Sequence, residues 1–116
     1  MAKRTPRHLE TVRGVAFSFP GVEEGVCYGT PGFYVRGKVL ARLREDGETL
    51  AVKCGNEARD LRLRSDPRSF FITDHYAGHP TVVVRLATVR AADLHAVVEA
   101  AWRRIAPKRL VAEYDS

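Results

Sequence analysis

Cysteine is scarce in this sequence: Cys27 and Cys54 stand far apart and outside any Cys-x-x-Cys spacing. A zinc site or a thioredoxin-like redox pair needs closer thiols, so both are expected as buried, reduced side chains. Long apolar runs are missing too. No stretch approaches the roughly 18 apolar residues of a membrane span, and the segment Gly14 to Phe19 is too short for a signal-peptide core. The expected compartment is the cytoplasm, with no membrane partner. Internal repeats and low-complexity tracts are absent. Gly29, Gly32 and Gly37 do not form a phosphate-cradling loop; each falls where a hairpin needs it.

Catalytic constellations are equally thin. Glu23 and Glu24 lie in a turn, where adjacent carboxylates diverge rather than share a proton. Nothing in the sequence around Cys27 supplies the base a nucleophilic thiol requires. The segment Asp74-His75-Tyr76-Ala77-Gly78-His79 offers three possible metal ligands at short spacing, but Gly78 and Pro80 oppose a helix that would align His75 with His79. With no fourth ligand it reads as a polar surface loop. The expectation is a non-enzyme with no metal and no cofactor.

What is present suits one globular domain over residues 1–116. Hydrophobic residues at 45% and charged residues at 28% can build a core without disulfides or metals. Thr5 followed by Pro6 is a helix-start signal, and Leu9, Val12, Val15, Ala16 and Phe19 recur at helical spacing, predicting a helix from about Pro6 to Ser18. From Val22 to Val89 the apolar period becomes two, as in an antiparallel sheet. A two-residue turn at Asp46-Gly47 pairs Leu43 with Leu50 and Ala41 with Val52. For Phe33 and Val35 to share a core face with Val39 and Ala41, the preceding hairpin needs an odd loop, Arg36-Gly37-Lys38. Asn56 caps a short helix to about Arg64. Strands are expected over Phe70 to Thr73 and Thr81 to Val89. Leu94, Val97, Val98, Ala101, Trp102 and Ile105 form the stripe of a closing helix that Pro107 breaks, with a further helical turn or two over Lys108 to Tyr114. The fold class is α+β: an antiparallel sheet with helices packed on one face.

Charge is the one skew. The chain carries 19 Lys+Arg against 14 Asp+Glu, and the whole excess of +5 falls before residue 45. In the strands drawn above, Arg36, Lys38, Arg42, Arg44, Lys53 and Arg85 face away from the core, and Tyr34 shares that face. Uninterrupted like charge on one sheet face is weakly costly unless a polyanion neutralises it. Lysine and arginine also serve as ordinary solvent-face residues that discourage sheets from joining at their edges.

Several motifs in order bring a family into view: Phe19-Pro20-Gly21-Val22-Glu23-Glu24, then Tyr28-Gly29-Thr30-Pro31-Gly32-Phe33-Tyr34-Val35, then Gly37-Lys38-Val39-Leu40-Ala41. Together with Leu50-Ala51-Val52-Lys53, Tyr76 with His79-Pro80, and the run from Ala100 to Leu110, they resemble the MmcQ/YjbR family of small bacterial proteins. The resemblance spans about Leu9 to Ala112. It implies a CyaY-like fold and, by likeness of the sheet to a double-wing domain of a phage transcription factor, DNA binding. The acidic first helix on which iron binding relies in CyaY and frataxin is not matched, since Glu10 stands among Arg7, His8 and Arg13. No catalytic residue carries over.

Two functional expectations follow. The first is a non-enzymatic module that binds duplex DNA across an exposed sheet face through Tyr34, Arg36, Lys38, Arg42, Arg44, Lys53 and Arg85, with Arg36 and Lys38 at a wing tip. The alternative is a small-ligand or protein-interaction module with an aromatic pocket near Tyr28, Tyr76, His79 and Trp102.

Overall fold

The computed structural model describes residues 7–116, so the Thr5-Pro6 start signal lies outside the described residues. Helix α1 (Leu9–Ala16) buries Leu9, Val12 and Ala16, three positions of the predicted stripe. Six strands make one antiparallel sheet: β1 (Val22–Cys27), β2 (Thr30–Val35), β3 (Lys38–Leu43), β4 (Thr49–Val52), β5 (Phe70–Phe71) and β6 (Val82–Arg85). Their order across the sheet is β1-β2-β3-β4-β6-β5. Helix α2 (Asn56–Ser65) joins β4 to β5, while α3 (Ala91–Ile105) and α4 (Lys108–Asp115) follow β6. The class is α+β, as expected.

The helices cover one face. The stripe of α3 buries Leu94, Val97, Val98, Ala101 and Trp102 in one cluster with Leu40, Leu43, Leu50, Val52, Val82 and Val84 from the strands. Each large side chain removed from water this way contributes roughly 1.5–3 kcal/mol. Trp102 has no exposed surface; its indole N–H donates to the Pro20 carbonyl at 2.9 Å, and its ring meets Phe19 and Tyr114. It is a core residue.

Three hairpin and helix ends differ from expectation. Ala41 pairs with Val52 and Leu43 with Leu50, as predicted, yet the β3–β4 tip is wider than two residues. The Gly47 amide bonds to the Arg44 carbonyl, and of the Asp46-Gly47 pair only Gly47 takes a positive φ. Asp46 instead accepts the amides of Glu48 and Thr49 on its side chain, the local bonding that suits aspartate to turns. Between β2 and β3 the loop is the two-residue turn Arg36-Gly37, with φ of 51° and 80°. The odd residue sits in the strand: Tyr34 opposes Val39 and Phe33 opposes Ala41, leaving Leu40 as a bulge. Leu40 therefore fills the core position expected of Val39, which turns to the other face. Finally, Asn56 is the first residue of α2, not its cap; Gly55 precedes it at φ 97° with no side-chain cap.

Strands β5 and β6 are shorter than predicted. The backbone leaves the sheet after Phe71 and returns at Val82, and this excursion shapes the site.

Candidate functional site

Cross-strand partners share a face, so the pairing places Gly32, Arg42, Ala51, Val83 and Phe71 in one row on the side away from the helices. Tyr34 and Val39 form a neighbouring row, and Thr49 with Arg85 another. This face was expected to be open and uniformly positive. It is neither across its middle. The connection from Thr73 to Thr81, with a single 3-10 turn at Asp74–Tyr76, stands in front of it. Ala51 and Val83 are buried although they point away from the helical core.

Long-range bonds hold this connection in place. The Gly55 amide donates to the Pro80 carbonyl at 3.0 Å, and Arg59 Nη1 donates to the His79 carbonyl at 2.7 Å. Between sheet and connection lies a cleft of about 400 Å³. The sheet supplies Val26, Cys27, Tyr34, Val39, Arg42, Ala51 and Lys53; the β1–β2 turn supplies Tyr28; the connection supplies His75, Tyr76, His79 and Thr81. No carboxylate belongs to this wall. A second lobe, lined by Tyr28, Arg42, Arg44, Glu45, His75 and Tyr76, adjoins it across Arg42 and Tyr76.

Arg42 is the centre of the arrangement, 8% exposed. Its Nε donates to the Cys27 carbonyl at 3.2 Å, Nη1 to the Tyr76 hydroxyl at 3.4 Å, and Nη2 to the Glu45 carboxylate. Burial works against its charge, but the bonds to Glu45 and Tyr76 outweigh it and hold the guanidinium protonated. Glu45 is held below the ordinary carboxylate range by its own backbone amide and by Arg42.

Tyr34 lies flat because two glycines oppose each other beside it. Gly25 pairs with Gly32, and a Cβ on either would come within 3.3 or 3.4 Å of the Tyr34 ring. The Tyr34 hydroxyl donates to the Val26 carbonyl at 2.8 Å. Its phenol is pushed above the usual value by the adjacent Cys27 side chain first, and by burial second. Tyr28 sits at the lip, 86% exposed, with the Arg42 guanidinium 5.4 Å from its ring centroid.

The seven residues expected to contact DNA are thus divided. Tyr34, Arg42 and Lys53 meet in the cleft, and Arg44 lines the second lobe. Arg36 is at the β2–β3 turn, and Lys38 opposes Val35, a core residue, so it leaves the sheet on the helix side. Arg85 lies beyond the cleft, its guanidinium 4.1 Å from the Phe71 centroid. Arg42 is not an exposed cation but a buried one matched by Glu45. Of the aromatic pocket expected as the alternative, Tyr28, Tyr76 and His79 are in the wall and Trp102 is not.

Cys27, His75 and Thr81 were not singled out for the site. The signal that reaches His75 and Thr81 is the long polar connection between two strands, carrying a tyrosine and two histidines, since long ordered connections tend to carry function; Cys27, at the end of β1, has no such signal. Among the described residues no cluster of three or more His, Cys, Asp or Glu side chains gathers to hold a metal. Likewise, no helix among them is long and apolar enough to cross a membrane.

Comparison with known proteins adds a family to this geometry. A family model described as YjbR matches residues 17–104. Over 66 residues the sequence is 38% identical to the uncharacterized protein Rv2570 of Mycobacterium tuberculosis strain H37Rv. The uncharacterized protein Mb2600 of Mycobacterium bovis matches to the same degree. These alignments cover 56% of this chain and 51% of each relative, so the chain spans about half the length of the curated relatives it matches. Among solved structures, the Deinococcus radiodurans protein DR2400, with family-model domain DUF419, superposes with a TM-score of 0.72. That match covers 97% of this chain and 92% of the other at 21% identity, a likeness of fold.

Proposed function

This chain belongs to the YjbR family, and we propose that within that frame it is a binding module, without turnover, for a small anion held between sheet and connection. The observation that carries the reading is the wall of the cleft: Arg42 and Lys53 face the same 400 Å³ space, with three tyrosines, two histidines and no carboxylate. A space of this size, concave and largely preformed, suits a small molecule. An anion inside it gains from a guanidinium fork that is already oriented by the Cys27 carbonyl and Tyr76. Glu45 keeps Arg42 company from the adjoining lobe and competes with the incoming ligand.

The test is calorimetric titration with phenyl phosphate on the parent protein and on Lys53→Ala and Arg42→Met. Saturable binding that weakens at least about tenfold in each variant, the loss of one charge-assisted hydrogen bond, is the expected result. Binding that is untouched by both substitutions would place the site elsewhere.

A second reading, binding of DNA at the β2–β3 turn and along the adjoining rim of the cleft face, is favoured by a separate observation. Among the described residues Arg36, Lys38, Arg44, Lys53 and Arg85 take part in no ion pair, a state they share with Arg7, Arg64, Arg68, Arg90, Arg104, Lys108 and Arg109, and they are the unpaired cations carried by the β2–β4 hairpins and β6. In this reading Arg36 and Lys38 form the wing tip and the others flank it, as the resemblance to a double-wing domain implies. Anisotropy of a labelled duplex across a salt series tests it: each neutralised phosphate contributes about −0.9 to the slope of log K against log salt. A flat response, or a slope unaltered by Arg36→Ala with Lys38→Ala, refutes it.

A further inference from the structure

Tyr28 stands in a turn whose backbone disfavours a tyrosine, and its ring meets the Arg42 guanidinium of the cleft at 5.4 Å. The Tyr28-Gly29 turn that joins β1 to β2 has φ of 52° and 80°, a pair of left-handed positions that asparagine and glycine fill without strain. A tyrosine there is strained, and burial does not repay it, since 86% of the residue is exposed. Its neighbour Val26 is 74% exposed. Arg36 occupies the equivalent strained position at the other end of β2 but lines neither lobe of the cleft; Tyr28 lines both. Across the lip, His75 and Tyr76 pack edge to face with centroids 4.7 Å apart, and both also line the two lobes. Arg42 lies between these aromatic groups, and strain of this kind concentrates at binding sites.

Resting on the anion-cleft reading above, we propose that Tyr28 is the stacking platform of the site, and that the ligand is a planar aromatic anion of the nucleoside monophosphate type. The phosphate would lie against Arg42 and Lys53 inside the cleft, while the ring system covers Tyr28 at the lip. A flat π-face on an exposed tyrosine recognises rings with little regard for their hydrogen-bonding pattern. The site is therefore expected to distinguish aromatic from sugar phosphates more sharply than one base from another.

Calorimetric titration with adenosine 5′-monophosphate, ribose 5-phosphate and adenosine tests this on the parent chain and on Tyr28→Asn and Tyr28→Phe. The parent is expected to bind the nucleotide about tenfold more tightly than either fragment, the increment of one stacked ring. Tyr28→Phe keeps that increment. Tyr28→Asn binds the nucleotide only as well as ribose 5-phosphate, while its Tm rises by about 4 °C as the turn strain is relieved. Equal binding of ribose 5-phosphate and nucleotide by the parent, or full nucleotide affinity in Tyr28→Asn, overturns the platform and leaves the anion cleft standing. Absence of binding by either phosphate removes the cleft reading and the platform together.

Discussion

Replacing Arg42 with methionine separates a residue kept for a ligand from one kept for the fold. The substitution keeps an apolar stem in the 8% exposed position and removes all three donor contacts. Each loss is small for a reason visible in the structure. The Cys27 carbonyl still accepts the Thr30 hydroxyl at 2.9 Å, so no buried acceptor is orphaned. The Glu45 side chain is 69% exposed and returns to water, and surface-type pairs of this kind contribute about 0–1 kcal/mol. The Tyr76 contact, at 3.4 Å, is long. The expected cost is therefore about 1 kcal/mol, against the 3–5 kcal/mol lost when one partner of a fully buried pair is removed. A chain of 116 residues loses about 4 °C of Tm per kcal/mol. Calorimetric melts of the two proteins at neutral pH supply the measurement. A fall near 4 °C with loss of anion binding supports the reasoning; a fall beyond about 12 °C shows that Arg42 is a structural keystone and refutes it.

Glu45→Gln should tighten phenyl phosphate binding several-fold, because the competing carboxylate at Arg42 is gone; weaker binding in a titration would show that Glu45 orients the guanidinium instead. Gly32→Ala places a methyl group 2.7 Å from the Cys27 Cβ and should cost about 1–3 kcal/mol in a denaturant melt. Gly14→Ala, in α1 with open space around it, is expected to gain about 1 kcal/mol in the same assay. The Cys54 thiol is pushed by burial from 9.0 up to about 11. A group raised on folding stabilises fully below its unfolded value, so this contribution, on the order of 2–3 kcal/mol, is lost as pH rises from about 9 to 11. Urea melts across that range should show a shallower decline in Cys54→Ala than in the parent; equal slopes would count against burial of the thiol.

Hydrophobic periodicity alone reaches most of this fold. The α3 stripe, the α1 face and the register of β3 with β4 are all legible, because a shift of one residue would expose every core side chain. Leu40 shows the limit of that reasoning: alternation assumes that a strand keeps its phase, and a bulge changes phase without any marker in residue type. The candidate site is legible only in part, for a related reason. Sequence parity assigns Arg42, Lys53 and Tyr34 to one face correctly, but says nothing of what covers it. Covering comes from the Thr73 to Thr81 connection, whose path is set by long-range bonds such as Arg59 to the His79 carbonyl. A contact between residues 20 positions apart has no periodic signature. The pairing of Arg42 with Glu45 is closer in sequence and still invisible, because it depends on the wide β3–β4 tip in place of the tight turn expected.

The extra residue in β3 also governs how this hairpin can change length. Removing a residue from the Arg36-Gly37 tip would reverse the facing of one strand against the other, sending Arg42 into the oily interior and Ala41 to the cleft. Removing Leu40 itself would not, since Val39 and Ala41 already stand on opposite sides and would simply become neighbours. The hairpin therefore has one tolerant joint, set away from its tip, where a single deletion costs a leucine but leaves every other side chain where it is.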